Sequence, residues 1–384
     1  MRHRLRHMVP GRVEPPQAVR LAAEAGTDPA AVAQGVLDGL RELAGTTGPV
    51  LPLAMDADDA WTAVLAGLLE PGARVLTVEG GPCGRALTAA GARAGLDMSA
   101  VTAPPGRSLD AEVLERALAT DTSFKAVVLP MVEAATGAMH PVAELAGVAL
   151  ARGVLMLVDG GHALGVSPVR FDERGLDALV AAGHKGLMQP PGLAVAALSD
   201  RAWRTLEESG GPGHGVPDLL EARRRCLGGN LPELDGPSAA ALHAAVSDLA
   251  AQGTQTAFAR NAALASMFRA GVLALGLDTA SRGPHAAALS AVRLPAGVQA
   301  ELLALAMAEE YGVLAEVRTD GPEELAGRVL TVAHCAPLDY GDVLASLAAL
   351  RACLPMVGGH SACRDALETA MAAYEQSLFG PMPD

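Results

Sequence analysis

Aromatic residues are scarce in this chain of 384 residues: Phe, Trp and Tyr together make up 3%. A core of the size such a length can bury must then be built from Ala, Leu, Val and Met, and the 50% hydrophobic content supplies them. Lysine is rare beside arginine, a bias that fits a GC-rich genome better than any function. Positive charge is short overall. The net charge of −14 argues against nucleic acid and anionic membranes as partners. Arg2, His3, Arg4, Arg6 and His7 form a local basic exception at the N-terminus. That segment lacks the apolar stretch of a signal peptide, and no run reads as long enough to span a bilayer. The five cysteines (Cys83, Cys226, Cys335, Cys353, Cys363) are scattered and contain no Cys-x-x-Cys pair. Neither a zinc site nor a disulfide framework is indicated, and a reducing cytoplasm is the expected location. There is also no internal repeat and no low-complexity linker, so the domains are expected to share an interface.

What is present is alternation. Apolar strand-like runs interleave with helical patterns from about residue 30 to 200, the mark of a doubly wound or mixed α/β sheet. Strands are expected at 74–78, 126–131, 155–158, 179–182 and 193–198, and helices at 59–69, 83–94, 110–119 and 142–151. Residues 201–227 read as irregular with short helices. Helices at 238–251 and 256–275 lead to a smaller α+β region, with strands at 288–294, 313–317 and 329–332 and helices at 298–311, 341–354 and 361–378. The expected division is an N-terminal arm (1–20), a large domain (21–253) and a small C-terminal domain (254–384).

Within this frame Val158-Asp159-Gly160-Gly161-His162 and Ala182-Gly183-His184-Lys185-Gly186-Leu187 stand out. Each closes an apolar run that reads as a buried parallel strand, so both charged groups fall at strand carboxyl ends, where open α/β sheets place ligands. A buried lysine is costly unless its pKa falls or it forms a bond, which is how Schiff-base lysines arise. An aspartate facing the same crevice can hold a pyridinium nitrogen protonated. The spacing alone equally allows a structural Lys–Asp pair at the sheet edge.

A longer set of motifs bears on that choice. Gly183-His184-Lys185-Gly186-Leu187-Met188-Gln189-Pro190-Pro191-Gly192-Leu193, running on to Trp203, resembles the class V aminotransferases of fold-type I, in particular the alanine–glyoxylate and serine–pyruvate branch. Val9-Pro10-Gly11-Arg12-Val13 is similar to that branch's opening loop. Ala135-Thr136-Gly137 with His140-Pro141 is similar to its Ser-Thr-Gly…Asn-Pro turn, and Gly327 to His334 to its Arg-Ile-Gly-His strand. The resemblance spans nearly the whole chain. It implies a fold-type I α/β large domain with a mostly parallel sheet, a smaller α+β C-terminal domain, and a homodimer. It also implies a Schiff base between Lys185 and pyridoxal 5'-phosphate, with Asp159 at the pyridine nitrogen. His184 and His162 would adjoin the cofactor, His162 against its ring.

The chain departs from this pattern in several places. The family cradles the phosphate with a Ser-Gly-Thr-Gly loop at a helix N-terminus. Here the matching residues are Asp56-Ala57-Asp58-Asp59, whose carboxylates would repel a dianion yet suit the helix start as caps. Three such acids could also bind a divalent metal, but no His or Cys spacing supports one. The family's stacking aromatic falls at Pro82 or Cys83, a serine near the cofactor oxygen at Ala134, and a phosphate-binding threonine from the second subunit near Glu233. The substrate-carboxylate arginine aligns with Thr331, which cannot make the bidentate contact. Arg12 in the Gly11-Arg12 loop, Arg318 and Arg328 are the candidate substitutes. Cys335 reads as packing.

The expected function is an aminotransferase-like enzyme acting on a small amine or amino acid through Lys185. A variant follows from the acidic loop: unphosphorylated pyridoxal or pyridoxamine, as in pyridoxamine–pyruvate transaminase, which resembles the same branch and lacks the usual phosphate loop. The alternative is a fold-type I scaffold that works without the cofactor, either as a cofactor-independent enzyme or as a binding subunit.

Overall fold

The structure is a computed structural model and describes residues 6–7, 28–209, 218–231, 234–334, 338–360 and 365–379. The first described helix, α1 (Pro29–Ala44), starts where Asp28 accepts a hydrogen bond from Ala30 N and Pro29 fills the first turn. Then follow β1 (Val50–Leu53), α2 (Ala57–Leu68), β2 (Arg74–Glu79), α3 (Pro82–Arg93), β3 (Asp97–Thr102), α4 (Ala111–Thr120) and β4 (Phe124–Pro130). A short hairpin pairs Val132–Glu133 with Ala138–Met139 before α5 (Val142–Ala151), β5 (Leu155–Asp159), β6 (Ala178–Ala182) and β7 (Ala194–Leu198).

These strands form one seven-stranded sheet in the order β1-β7-β6-β5-β4-β2-β3. All pairs are parallel except those of β7, which runs antiparallel to β1 and β6. The sheet is sandwiched between two apolar layers. One is gathered around α1, α4, α5 and the residues Ala257 and Phe258 further along the chain, the other around α2, α3 and the helices after β7. Strands β5 to β7 are buried on both faces, which explains their unbroken Val, Leu and Ala runs. Pro52 sits in β1, an edge strand, where a missing N–H is tolerated.

Beyond β7 come α6 (Asp200–Glu208), α7 (Leu219–Leu227), α8 (Gly236–Gln252) and α9 (Thr254–Ala274), so 201–227 holds two regular helices among its described residues. A second sheet follows: β8 (Asp278–Thr279), β9 (Leu289–Arg293), β10 (Glu316–Arg318) and β11 (Val329–Ala333), in the order β8-β9-β11-β10 and antiparallel throughout. It packs with α10 (Ala300–Tyr311), α11 (Tyr340–Cys353) and α12 (Ala366–Phe379) around its own core, which includes Phe268, Leu303, Leu330 and Leu347. Arg6–His7 adds a short parallel pair to Val313–Leu314. The segment Tyr340–Val357 corrects one expectation. At a mean hydropathy of 1.3 over 18 residues it is long and apolar enough to cross a membrane. In this fold it places Val343, Leu347, Leu350 and Cys353 in the small core.

Candidate active site

Strands β5 and β6 pair in parallel with Asp159 opposite Val180, so Asp159 closes β5 while β6 continues to Ala182 and hands on to Lys185. The base of this pair is fixed by the buried Asp177, which accepts from Met156 N at 2.8 Å and from Arg201 Nε at 2.8 Å. The two chemistry-bearing residues thus enter one cavity of about 670 Å³ at the carboxyl end of the sheet.

The turn after β5 is tight. Gly160 N donates to Val180 O at 2.9 Å, and Gly161 N donates to Asp159 Oδ1 at 2.8 Å. Burial pushes the Asp159 carboxyl above the usual range, opposed by the Lys185 charge and the Gly161 N–H. A side chain at Gly161 would place its Cβ 3.0 Å from Asp159 Oδ1 and 3.2 Å from Lys185 Nζ, so any larger residue crowds the acid and the amine. The turn carrying Lys185 is closed by Met188 N donating to Lys185 O (3.0 Å) and Gln189 N to Gly183 O (2.9 Å). Met188, three residues after the lysine, lies in the left-handed region (φ 51°), a strained setting for a side chain.

Lys185 makes no ion pair with a carboxylate among the described residues; its Nζ meets His162 Nδ1 at 3.3 Å. The structural Lys–Asp pair allowed by the sequence is therefore not what holds the amine. His162 is 7% exposed, and burial together with the Lys185, Arg318 and His184 charges holds its pKa well below the usual value. Burial thus favours the neutral ring, whose Nδ1 lies within hydrogen-bonding distance of the amine. His162 lines the same cavity as Asp159, and its hydrogen-bonding partner there is the lysine. His184 also lines the cavity, its pKa lowered by burial and by Lys185 against the pull of Asp56.

Pro82, Cys83 and Ala134 line the cavity as well, and Trp61 of α2 is also among its lining residues. Cys83 and Gly84 begin α3 and donate their N–H groups to Glu133 at 3.3 and 3.4 Å, with Ala135 N at 3.5 Å. Glu133 is 2% exposed, and burial raises its pKa against those three hydrogen bonds. Burial and the neighbouring Glu133 push the Cys83 thiol up, away from thiolate reactivity. The sequence reading missed Glu133; a lone acid in the apolar stretch Pro130-Met131-Val132-Glu133-Ala134-Ala135 was its available signal.

At the far end Asp56, Ala57, Asp58 and Asp59 open α2 and line the cavity. Asp56 corrects the capping expectation: it makes no side-chain hydrogen bond to its own helix, and instead accepts from Gly192 N at 2.9 Å. The small sheet supplies Leu289, Glu316, Arg318 and Thr331. Arg328 is not in the wall; it reaches Leu294 O at 3.4 Å. Gly11, Arg12, Glu233 and Cys335 lie outside the described residues. No group of three or more possible metal ligands occurs among the described residues.

The sequence model of aminotransferase class-V matches residues 57–322, spanning both charged turns and most of the large sheet. The chain belongs to that family. It is a fold-type I, pyridoxal-phosphate-dependent family of aminotransferases. Among its relatives, the soluble hydrogenase 42 kDa subunit of Anabaena cylindrica is 27% identical over 93% of this chain and 95% of its own length. The ureidoglycine–glyoxylate aminotransferase of Bacillus subtilis superposes with a TM-score of 0.85, at 23% identity over 96% of this chain and 97% of that one. The pyridoxamine–pyruvate aminotransferase of Mesorhizobium loti gives 0.84, at 21% identity over 96% of each chain. At such identities these two structures establish the shared fold.

Proposed function

We propose that this class-V family member forms a Schiff base between Lys185 and a pyridoxal-type cofactor, takes that cofactor unphosphorylated, and acts on a small amine or amino acid. The observation that carries the reading is the amine of Lys185, facing a cavity beside the half-buried Asp159 and within hydrogen-bonding distance of a histidine instead of a carboxylate. The residues fit the ring of a pyridoxal group. Asp159 is a half-buried carboxylate that a cation would stabilise, and Cys83 and Ala134 are small enough to leave the ring's face free. The phosphate end fits poorly: the start of α2 presents exposed Asp58 and Asp59, where a dianion would meet like charge.

When bound, the ring supplies an electron sink for charge developing at the substrate carbon beside the amine nitrogen. Everything else falls to the chain. Asp159, fixed by Gly161 N–H, holds a proton on the ring nitrogen by opposing its charge at close range. Lys185 Nζ, once its place is taken by the substrate amine, accepts the proton lost from that carbon and returns it. His162 Nδ1 receives one lysine N–H, which orients the remaining lone pair toward the cavity. A homodimer belongs to the same proposal.

Lys125 and Lys185 are the only lysines, which makes the test simple. The protein is offered pyridoxal and pyridoxal phosphate together, reduced with borohydride, and weighed intact. The expected product is one adduct of pyridoxal mass, mapped to Lys185 and absent from Lys185→Ala. A phosphate-bearing adduct would overturn the unphosphorylated form. No adduct from either aldehyde would overturn the Schiff-base reading and favour the cofactor-free scaffold.

A further inference from the structure

We infer that the small-domain wall of the cavity selects an amine that carries a hydroxyl, or another neutral oxygen, where an α-amino acid carries its carboxylate. The inference rests on the pyridoxal-type reading above and names its substrate class. Thr331 is 2% exposed, lines the cavity, and its Oγ1 has no hydrogen-bond partner. A buried hydroxyl left unsatisfied is costly, so a ligand oxygen that pairs with it is favoured. The charge around that hydroxyl decides which oxygen. Thr331 on β11 lies directly opposite Glu316 on β10, and residues paired in this way project from the same face. Arg318, two residues along the same strand, is taken up by Glu316 at 2.9 Å and Asp320 at 2.8 Å. One guanidinium thus faces two carboxylates, and the group carries net negative charge.

The rest of the cavity does not restore the balance. Asp56, Asp58, Asp59, Asp159 and Glu316 line it against Lys185, Arg93 and Arg318. Arg93 hydrogen-bonds Asp58 O (3.0 Å) and Thr62 Oγ1 (3.3 Å) on α2, the helix that carries Asp58 and Asp59, and Lys185 is reserved for the chemistry. A substrate carboxylate beside Thr331 would therefore meet an excess of like charge, five acids lining the cavity against three cations. A hydroxyl would not: it can accept from one neighbour and donate to the other. Arg318 Nε, buried and unpartnered, offers a single further N–H that suits a neutral acceptor. Discrimination here works by repulsion of the wrong ligand as much as by attraction of the right one.

The test needs no turnover. Pyridoxal is condensed with L-alaninol or with L-alanine and each product is reduced to a stable secondary amine. The two conjugates share the ring and differ only in CH2OH against COO−. Their dissociation constants for the whole protein are measured by calorimetry. The alaninol conjugate is expected to bind tighter by about tenfold or more, one unbalanced charge at short range being worth at least that. Thr331→Val, isosteric and relieved of the unpaired hydroxyl, is expected to fold. It should weaken the alaninol conjugate several-fold and leave the alanine conjugate little changed. Glu316→Gln, which frees Arg318, should strengthen the alanine conjugate alone. Tighter binding of the alanine conjugate to wild type overturns the inference while leaving the ring reading intact; if Arg12→Gln abolishes that preference, carboxylate recognition belongs to Arg12. Binding of neither conjugate removes the ring reading, and this inference with it.

Discussion

A single methyl group at Gly161 tests the geometry on which the site depends. In Gly161→Ala the added Cβ falls 3.0 Å from Asp159 Oδ1, 3.2 Å from Lys185 Nζ and 3.7 Å from Lys185 Cδ. Gly161 has no positive φ, so the cost is contact and not backbone strain. Asp159 cannot retreat easily, because its Oδ1 is held by the N–H of the same residue at 2.8 Å. The lysine end is the softer partner and gives way. Its Nζ sits 3.3 Å from His162 Nδ1, so a shift of a few tenths of an ångström away from the methyl can break that bond. A hydrogen bond of this kind is worth about 1 kcal/mol, enough to slow productive placement of the amine by about fivefold. The assay is the time course of pyridoxal trapping at Lys185 by borohydride, read by intact mass. Gly147→Ala on α5 is the control, since nothing lies within 4 Å of its Cβ; it should be neutral or slightly stabilising. If Gly161→Ala traps pyridoxal at the wild-type rate, the amine and the carboxylate are not packed on that glycine and the site is wrongly drawn.

Three other outcomes are expected. Asp159→Asn keeps the acceptor for Gly161 N–H but removes the charge, so affinity for pyridoxine, which has no aldehyde, should fall about 10- to 100-fold in a fluorescence titration. Asp58→Ser with Asp59→Thr should shift preference toward the phosphorylated aldehyde by about tenfold in the competitive trapping experiment; Asp56 is left in place because it anchors Gly192 N. His140 accepts from Leu109 N at 3.0 Å, and burial holds its pKa down to about 4. An unfolded histidine protonates near 6.5, so between the two values the unfolded chain binds more protons. That stability is whole above 6.5 and is lost as pH falls toward 4, by about 3 kcal/mol. Because His162 and His334 are depressed too, the measurement is the difference in urea unfolding between wild type and His140→Asn across that window; equal slopes would refute it.

Much of the fold was legible because burial on both faces writes itself as uninterrupted apolar runs. Strands β4 to β7 and the helix Val142–Ala151 sit where the sequence places them, within a residue or two. The strand Asp97–Thr102 was not recognised, because an exposed edge strand mixes Asp, Ser and Thr among its apolar residues and shows neither a run nor clean alternation. Asp159, Lys185, His184, Pro82, Ala134 and Thr331 were legible from the family pattern and do meet in one cavity. The partners of those residues were not. Nothing in the sequence tells that Lys185 bonds His162, that Asp56 leaves its helix for Gly192, or that Glu133 sits beneath the first turn of α3, since each is a contact between segments distant in the chain.

The electrostatics of the cavity also read as one design when taken together. The half-buried Asp159 and the buried Glu133 are carboxylates held above their usual pKa, and the nearby imidazole of His162 is held below its own. An unliganded site of this kind carries an unfavourable charge that a cation can relieve. A pyridinium nitrogen relieves it at Asp159, and a second positive group, such as the ammonium of an incoming amine, is drawn by the same surplus. Binding then stabilises the folded chain by mass action. An anion reverses each of these gains, whether it arrives as a phosphate at α2 or as a carboxylate beside Glu316. On the function proposed above, the acidic helix start and the missing carboxylate arginine, which look like separate losses in the sequence, would both follow from one preference for cationic and neutral ligands. A thermal shift produced by pyridoxamine and not by pyridoxamine phosphate would express that preference in a single measurement. Equal shifts from the two would mean that the acidic residues at α2 are screened by solvent and play no part in selecting the vitamer.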